Sequence, residues 1–473
     1  MVYNNENNKI ITSPNYKKTL MNIEIVESKS ISGWGRNTPV SSNIVIPKQI
    51  KEIQDFIKES QPKSIIPRGL GRSYGDAAQL KNKNVLDLKH FSELNLHEDL
   101  GTLTAGAGAS FNEILKHIVQ KGFFLPVSPG TRNVTVGGAI ASDVHGKNHH
   151  VDGSFGNHVL EIKLIDGLGN LKILTPDNKD QILFEQFWST IGGMGLTGVI
   201  IEATFKLIKI ETSLISVDTS RYGDLESLMD AMLVADKKYR YSVAWVDSLH
   251  PKSRGVLTCG DHAKLEELES ITNKLQYDPK SLTSTPSFLP NGLLNKLTVR
   301  LFNETWFRKS PQKKEKELQS IAQFFHPLDG VKDWNKIYGP KGFVQYQFAI
   351  PDESAYLVSK TLRTLKEINA PSFLTVLKRF GKNNKGYLSF PISGWTLAVD
   401  VPAGIPNLNE TLVLLDNEIA NKGGRIYLAK DSRQSSEMFL RTYNQFKKWQ
   451  KVKKEMDPKF IFTSDLAERY QIN

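Results

Sequence analysis

A chain of 473 residues is long enough for two or three domains, and 39% hydrophobic with 23% charged residues is ordinary for a soluble globular protein. A single cysteine, Cys259, excludes an internal disulfide and any CxxC metal or redox motif, and no apolar run reaches transmembrane length. The net charge is +11, and Asn421–Asn473 supplies +6 of it through 12 Lys/Arg against 6 Asp/Glu; such a basic surface attracts nucleic acid, anionic lipid headgroups or a phosphorylated substrate, or is simply solvated.

The N-terminus is polar and Asn-rich and lacks the apolar core of a signal peptide, so residues 1–20 read as a flexible extension, with Met21 an alternative start. Pro47 to Ile57 reads as a helix with proline in its first turn and Ile50, Ile53, Phe56 and Ile57 on one face. Ser64–Pro67, Val85–Leu88 and Thr102–Ala105 read as short strands. Ser110-Phe-Asn-Glu113 is a capping box that opens a helix carrying Ile114, Leu115, Ile118 and Val119. Glycine is concentrated here: 19 of 34 glycines fall between Ser64 and Ile200. That density supplies the tight turns and close backbone approaches needed to wrap loops around a large ligand.

Two loops stand out. Pro67-Arg-Gly-Leu-Gly-Arg-Ser-Tyr-Gly-Asp76 is built for an anion nest of successive backbone N–H groups. It has G-x-G but no third glycine, since Tyr74 stands there, so it is not the dinucleotide fingerprint; no G-K-[ST] occurs either. Ser128 to Gly146 is long, rich in small residues and apolar in its middle, which suits backbone packed against a flat ring. A third cluster, Gly192 to Gly198, leads into an apolar strand at Val199–Phe205. From about Lys209 the glycines thin out. Phe343–Ile350 alternates, with Val344, Tyr346, Phe348 and Ile350 on one face and Gln345 and Gln347 on the other; Leu374–Phe380 places Lys378 with Leu374, Val376 and Phe380; Trp395–Val401 is a further strand.

The runs GLGRSYGD, PGTRNVTVGGAIASDVHGKNHH, GSFGNHV, GLTG, NGLLNK, FHPLD, YGPKGFVQYQF, LSFPI and AKDSR occur in this order between residues 69 and 433. Together they resemble the vanillyl-alcohol-oxidase-type FAD-binding superfamily. Within it they resemble the flavoprotein oxidases of decaprenylphosphoryl-β-D-ribose 2′-epimerases. The resemblance implies an α+β, two-domain fold. Residues 21–209 would form an FAD-binding domain of the PCMH type, 210–422 a sheet-plus-helices substrate (cap) domain, and 423–473 a C-terminal return to the first domain.

It also implies roles. Gly69, Leu70, Gly71, Arg72, Ser73, Tyr74 and Gly75 would hold the FAD pyrophosphate. Gly130, Thr135, Val136, Gly137, Gly138, Ser142, Asp143, Val144 and His145 would line the flavin, completed by Ile200 and Tyr427. Arg72 stands where some superfamily members carry the histidine that bonds FAD covalently, so FAD is expected to be non-covalent. Oxidising an alcohol requires a group that takes or polarises the hydroxyl proton, and Lys430 is the expected base, with His145 beside the flavin. Lys147 and Lys378 are candidates for the substrate phosphate, Gln345 and Gln347 for its hydroxyls, and Trp245, Phe325 and Phe380 for apolar walls. Thr396 and Ala398 would line the substrate pocket where relatives carry asparagine and cysteine; Val243 and Met194 are further departures, from serine and asparagine.

His145, His149, His150 and His158 invite a metal, but no carboxylate stands at metal-ligand spacing and no HExxH occurs, so no metal is expected. The implied reaction is oxidation of the C2′ hydroxyl of a polyprenyl-phosphoryl-β-D-ribose, with electrons passing on to a quinone-like acceptor or oxygen. A short-chain reductase partner would complete the epimerisation. The basic tail and a lipid-linked substrate point to a cytoplasmic or membrane-peripheral location. The alternative is a sugar, alditol or aldonolactone oxidase acting on a soluble substrate. A nucleic-acid-binding role is the outsider, because no recognition helix or RRM-type aromatic pattern is present.

Overall fold

The computed structural model describes residues 23–268, 273–281, 283–286 and 288–472; the expected extension at 1–20 and Met21 lie outside them. The glycine-rich third of the chain builds two sheets. Four strands lie in the order Glu24–Ile31, Val40–Ile46, Asn84–Asp87, Ile65–Arg68, antiparallel at the first pair and parallel thereafter. Five antiparallel strands follow in the order Leu94–His97, Thr102–Gly106, Val199–Lys206, Val159–Ile165, Leu171–Leu174.

The helix expected from Pro47 spans Ile50–Glu59. Lys48 N–H and Gln49 N–H both donate to Glu52 Oε2, at 2.7 and 3.3 Å, so Gln49 is the N-cap and Pro47 lies ahead of the first turn. Ile50 accordingly stays 37% exposed, while Ile53, Phe56 and Ile57 enter the core. The capping box at Ser110 is as the sequence reads. The hydroxyl accepts from Glu113 N–H at 3.2 Å and the Glu113 carboxylate accepts from Ser110 N–H at 2.8 Å. It launches the Phe111–Ile118 helix, whose Ile114, Leu115 and Ile118 are fully buried.

Eight of the strands between residues 214 and 426 form one antiparallel sheet, and Thr283–Ser284 and Val331–Lys332 pair separately. The order of the eight is Lys313–Ser320, Leu214–Tyr222, Gly255–His262, Tyr241–Val246, Thr375–Phe380, Gly394–Pro402, Phe343–Ile350, Arg425–Ile426. Alternation sorts its two faces. Tyr346, Phe348, Ile350, Leu377, Leu397 and Val399 pack against the helices Leu225–Ala235, Tyr356–Glu367 and Leu408–Asn421. Each fully buried Leu, Ile or Phe there contributes about 1.5–3 kcal/mol. The other face carries Gln345 and Gln347, only 8% and 2% exposed, so it meets protein and a cavity rather than bulk water.

The last stretch was expected to return to the first domain as a whole. Its first strand instead extends the eight-stranded sheet, because Ile426 and Arg425 pair with Phe348 and Ala349. Beyond it the chain does cross back. Trp449 Nε1–H donates to Ser189 O at 2.9 Å on the Gln181–Thr190 helix, and Ile461–Thr463 runs beside Ile65, with Ile65 N–H to Ile461 O at 3.2 Å and Thr463 N–H to Ile65 O at 3.0 Å. The Ala429–Arg433 loop thereby meets the first glycine loop. Tyr74 N–H donates to Ala429 O at 2.8 Å, and Arg469 clamps both segments by donating to Asp76 and to Asp431. At Gly75 no side chain fits, since a Cβ would lie 1.8 Å from the Asp431 carbonyl oxygen. Gly75→Ala is therefore expected to lower stability by roughly 2–4 kcal/mol. Thermal unfolding checks this against Gly223→Ala, whose Cβ would meet nothing within 4 Å and which should be near neutral.

Candidate active site

Between the glycine loops and the polar face of the eight-stranded sheet lies a cavity of about 1380 Å³, larger than the roughly 300–1,000 Å³ of a usual small-molecule pocket. Gly69 to Tyr74 line one part of it. The N–H groups of Leu70, Gly71, Arg72 and Ser73 donate to nothing among the described residues, and unpaired N–H groups converging on a cavity form a seat for an anion. The two loops touch at Gly69, where a Cβ would lie 2.2 Å from Thr135 Oγ1. Arg72 is pinned in place: it donates to Leu70 O at 2.6 Å and its guanidinium lies 4.1 Å from the centre of the Trp34 ring.

From the second loop, Gly130, Thr135, Gly137, Gly138, Ser142, Val144 and His145 line the cavity, joined by Ile200 and Tyr427. Tyr427 O–H donates to Ser142 O at 2.8 Å and its ring stacks on Phe390 at 4.5 Å, which fixes the wall beside His145, whose ring lies 5.5 Å from that of Tyr427. Met194 also lines the cavity, at φ +57, a conformation that asparagine adopts far more readily than methionine.

Five expected contacts stand behind the wall instead of in it. Gly75 packs on Asp431, and the Val136 side chain is fully buried in the core. Phe380 is 1% exposed and supports the rings of His145 and His149, at 4.7 and 4.5 Å. Thr396, also 1% exposed, accepts from Gln347 Nε2 at 3.2 Å. Asp143, at φ +40, turns its carboxylate away from the cavity. There it accepts from Ser154 Oγ at 2.8 Å, Gly156 N–H at 2.9 Å, Asn384 Nδ2 at 2.8 Å and Ser389 Oγ.

The sheet register sets the facing wall. Val376, Ala398 and Gln347 lie in one row across three strands; Lys378 and Thr396 lie in the next, and Asp400 and Gln345 pair in a third. His145 sits over this wall, with Nδ1 3.2 Å from Lys378 Nζ and Nε2 3.0 Å from the Gln347 amide. Burial, and then the neighbouring Lys378 charge, hold His145 well below the usual histidine range, so it is neutral. A neutral imidazole has one donor and one acceptor nitrogen, so His145 accepts a hydrogen bond from only one of these two neighbours, Lys378 Nζ at Nδ1 or Gln347 Nε2 at Nε2.

Of the lysines that line the cavity, three, Lys147, Lys378 and Lys430, are enclosed by protein yet partly open to it, and the others are exposed. Burial lowers Lys147 to about 7, aided by Lys378, and lowers Lys378 to about 8. Lys147 donates to Phe324 O and lies over the Phe324 ring at 4.1 Å. Lys430 lies over the Tyr74 ring at 3.7 Å; burial and then the Lys378 charge lower it to about 7, with Asp400 opposing. Trp245 and Phe325 supply apolar wall. Trp245 is oriented by Nε1–H donating to Phe373 O at 2.9 Å, and Phe325 by edge contact with Tyr241 at 4.9 Å.

Sequence reading missed Asp400. It is wholly buried, bonded to Gln345 Nε2 through Oδ1, and its Oδ2 has no hydrogen-bond partner among the described residues; burial raises it to about 7. Also missed were His326 and Asp329, although FHPLD carried the signal. Ser128 Oγ and His326 Nε2 are 2.8 Å apart, while Asp329 accepts from Thr131 Oγ1 at 2.7 Å and Arg132 N–H at 2.8 Å, fastening the second loop. The other histidines have structural partners. His149 Nδ1 accepts from Gly381 N–H, and His150 and His158 bond backbone carbonyls of Tyr239 and Asp152. No group of metal-ligating side chains occurs among the described residues.

Asp143 gives a direct test of the wall's support. Asp143→Ala removes an acceptor from four donors and leaves Gly156 N–H and Ser389 Oγ with none among the described residues; it should cost roughly 3–5 kcal/mol, whereas Asp143→Asn, which keeps one carbonyl oxygen, should cost less. Thermal unfolding of the two variants measures the difference.

The comparisons with known proteins agree with this geometry. A family model described as an FAD binding domain matches residues 41–175, and one described as D-arabinono-1,4-lactone oxidase matches residues 410–470. A decaprenylphosphoryl-β-D-ribose oxidase from Mycolicibacterium smegmatis is 39% identical over 460 residues, 94% of this chain and 98% of the relative. A protein from the mprA 5′ region of Streptomyces coelicolor is 32% identical over 76% of this chain and 99% of its own length. A D-lactate dehydrogenase from Archaeoglobus fulgidus is 26% identical over 35% of this chain and 38% of its own. The residues present fit FAD: unpaired N–H groups in the first loop for a pyrophosphate, a small-residue wall in the second for a flat ring, and room beyond for a second molecule. The chain belongs to the decaprenylphosphoryl-β-D-ribose oxidase family and is an FAD-dependent oxidoreductase with an α+β, PCMH-type FAD-binding fold.

Proposed function

We propose that this enzyme oxidises the C2′ hydroxyl of a polyprenyl-phosphoryl-β-D-ribose to the 2′-keto sugar. The observation that carries the reading is the set of three enclosed lysines around one cavity. Only one of them is needed as a base, and the others supply positive charge that a phosphodiester would neutralise. Bound FAD supplies a two-electron acceptor for the hydrogen that leaves the carbinol carbon. Residues 69–74 would hold its pyrophosphate, and Gly130, Thr135, Gly137, Gly138, Ser142, Val144 and His145 its ring side, without a covalent link. Lys430, neutral above about pH 7, would take the hydroxyl proton, and Asp400 is its buried counter-charge. Neutral His145 would orient the sugar with Gln347, while Gln345 is held by Asp400. Lys147 and Lys378 would bind the phosphate, and Trp245, Phe325 and Ala398 would face the apolar part of the substrate. A short-chain reductase partner would return the ketone to the epimeric alcohol, and a quinone-like acceptor or oxygen would reoxidise the enzyme.

The D-arabinono-1,4-lactone oxidase match at residues 410–470 favours a second reading, oxidation of a soluble lactone or alditol. A neutral lactone has no use for the extra enclosed lysines, which supports the first reading. Anaerobic flavin bleaching separates them: a short-chain prenyl-phosphoryl-ribose should bleach the flavin and free alditols and lactones should not. The reverse would install the second reading.

Two further outcomes follow from Lys430 and Arg72. Lys430→Ala and Lys430→Arg should retain FAD but slow flavin reduction by about 10²–10⁴-fold, since arginine keeps the charge yet cannot accept a proton. Near-normal reduction in the arginine variant would remove the base role. Acid precipitation should release all the flavin into the supernatant; flavin retained in the pellet would contradict non-covalent binding.

A further inference from the structure

The Lys296–Lys309 helix meets the eight-stranded sheet at the ends of its strands, through Asp247 just past Tyr241–Val246 and Arg221 of Leu214–Tyr222, with only a narrow buried seam, Val299 and Asn303, at 1% and 0% exposure. Asn303 holds that seam by donating to Asp247 Oδ1 at 2.8 Å. The rest of the helix presents large apolar side chains outward. Leu297 and Leu301, one helical turn apart, are 76% and 68% exposed, and Phe302 and Trp306 are 45% and 48% exposed. Four such side chains on fewer than three turns are far more apolar surface than a helix facing water carries without a partner.

Two more observations say what covers this face. The first is charge. Residues 296–316 carry seven Lys/Arg (Lys296, Arg300, Arg308, Lys309, Lys313, Lys314, Lys316) against two Glu, and these basic side chains are exposed. Long cationic side chains flanking exposed leucine and tryptophan are the pattern of a helix lying in an anionic lipid interface. There the apolar groups enter the acyl boundary and the ammonium and guanidinium groups reach the headgroups. The second is continuity with the cavity. Phe302 and Trp306 belong to its wall, as do Phe373, Leu374, Val376 and Trp245. Phe302 meets Phe373 edge-on at 5.5 Å, and Phe373 O accepts from Trp245 Nε1–H. An apolar path therefore runs from Lys378 along its own strand to the outer face of this helix. Leu414, 68% exposed, lacks this setting: it sits on the Leu408–Asn421 helix behind the sheet, away from the cavity wall.

We propose that the Lys296–Lys309 helix and the adjoining basic stretch through Lys316 dock this protein on an anionic lipid bilayer, so that the cavity opens at the lipid surface. The docking stands on the surface itself; its purpose, letting a lipid-linked sugar enter headgroup-first while its chain stays in the bilayer, rests on the functional reading above. No described helix is long and apolar enough to cross a membrane, so this contact would be peripheral.

Flotation of the FAD-loaded full chain with phosphatidylcholine vesicles, with and without phosphatidylglycerol, tests it. The protein should float with the anionic vesicles and not with the neutral ones, and high salt should weaken binding. Leu297→Glu combined with Leu301→Glu replaces no cavity-lining residue and should lower vesicle binding by about tenfold or more, while Leu414→Glu should bind as the parent does. Equal flotation of the double variant and the parent would overturn the proposal, as would no flotation of the parent. So would a parent dimer, split by the double variant, that stays off the vesicles, since the face would then join two copies. Flavin reduction by a short-chain, water-soluble prenyl-phosphoryl-ribose is measured in parallel. Reduction without flotation removes the docking and leaves the reaction standing; flotation without reduction does the opposite.

Discussion

The reacting end of this molecule depends on putting amino groups into a cavity where water cannot fully solvate them. A lysine in water keeps its proton far above neutral pH and is useless as a base. Here enclosure, helped by mutual repulsion, brings Lys430 to about 7, and the buried carboxylate of Asp400 is the nearby group that opposes the shift. Asp400 in turn is held by Gln345 and pays for its burial with a raised affinity for a proton. The same enclosure keeps His145 neutral, so it sits between Lys378 and Gln347 without adding charge.

Everything else in the fold serves to bring these groups to one place. Lys378 and the glutamines come from the eight-stranded sheet, Lys430 from the loop after it, and His145 and Lys147 from the end of the second glycine loop. The sheet register aligns Lys378, Ala398, Gln347 and Gln345 on one face because alternate positions point the same way. The return of the chain after Ile426 presses the Ala429–Arg433 loop onto the first glycine loop, with Arg469 tying Asp76 to Asp431. Lys430 therefore reaches the cavity only if the C-terminal segment is docked.

Much of this was legible in the sequence, for specific reasons. The glycine loops announce themselves because close backbone approach tolerates little else. Gln345 and Gln347 could be assigned to one face, since Tyr346 and Phe348 had to face the core; only their burial was hidden, because what covers a sheet face is decided by residues far away in sequence. Asp400 was illegible for the same reason, its partners lying 55 and 30 positions away at Gln345 and Lys430. Asp143 misled because its neighbours Ser142 and Val144 do line the cavity, while its own positive φ turns the carboxylate to the opposite side. Ile50 misled because a carboxylate, Glu52, and not the proline, sets where that helix starts.

The central claim is that Lys430 removes the hydroxyl proton while hydrogen leaves the adjacent carbon. Anaerobic stopped-flow reduction of the enzyme's flavin by a short-chain prenyl-phosphoryl-ribose, with hydrogen or deuterium at C2′, measures both parts. The account predicts slower reduction of the flavin by the deuterated sugar and a rate that rises as pH increases through about 7, where Lys430 loses its proton, with the rise absent in Lys430→Arg. A rate insensitive to C2′ deuteration, or a rise near pH 7 that persists in the arginine variant, would contradict it.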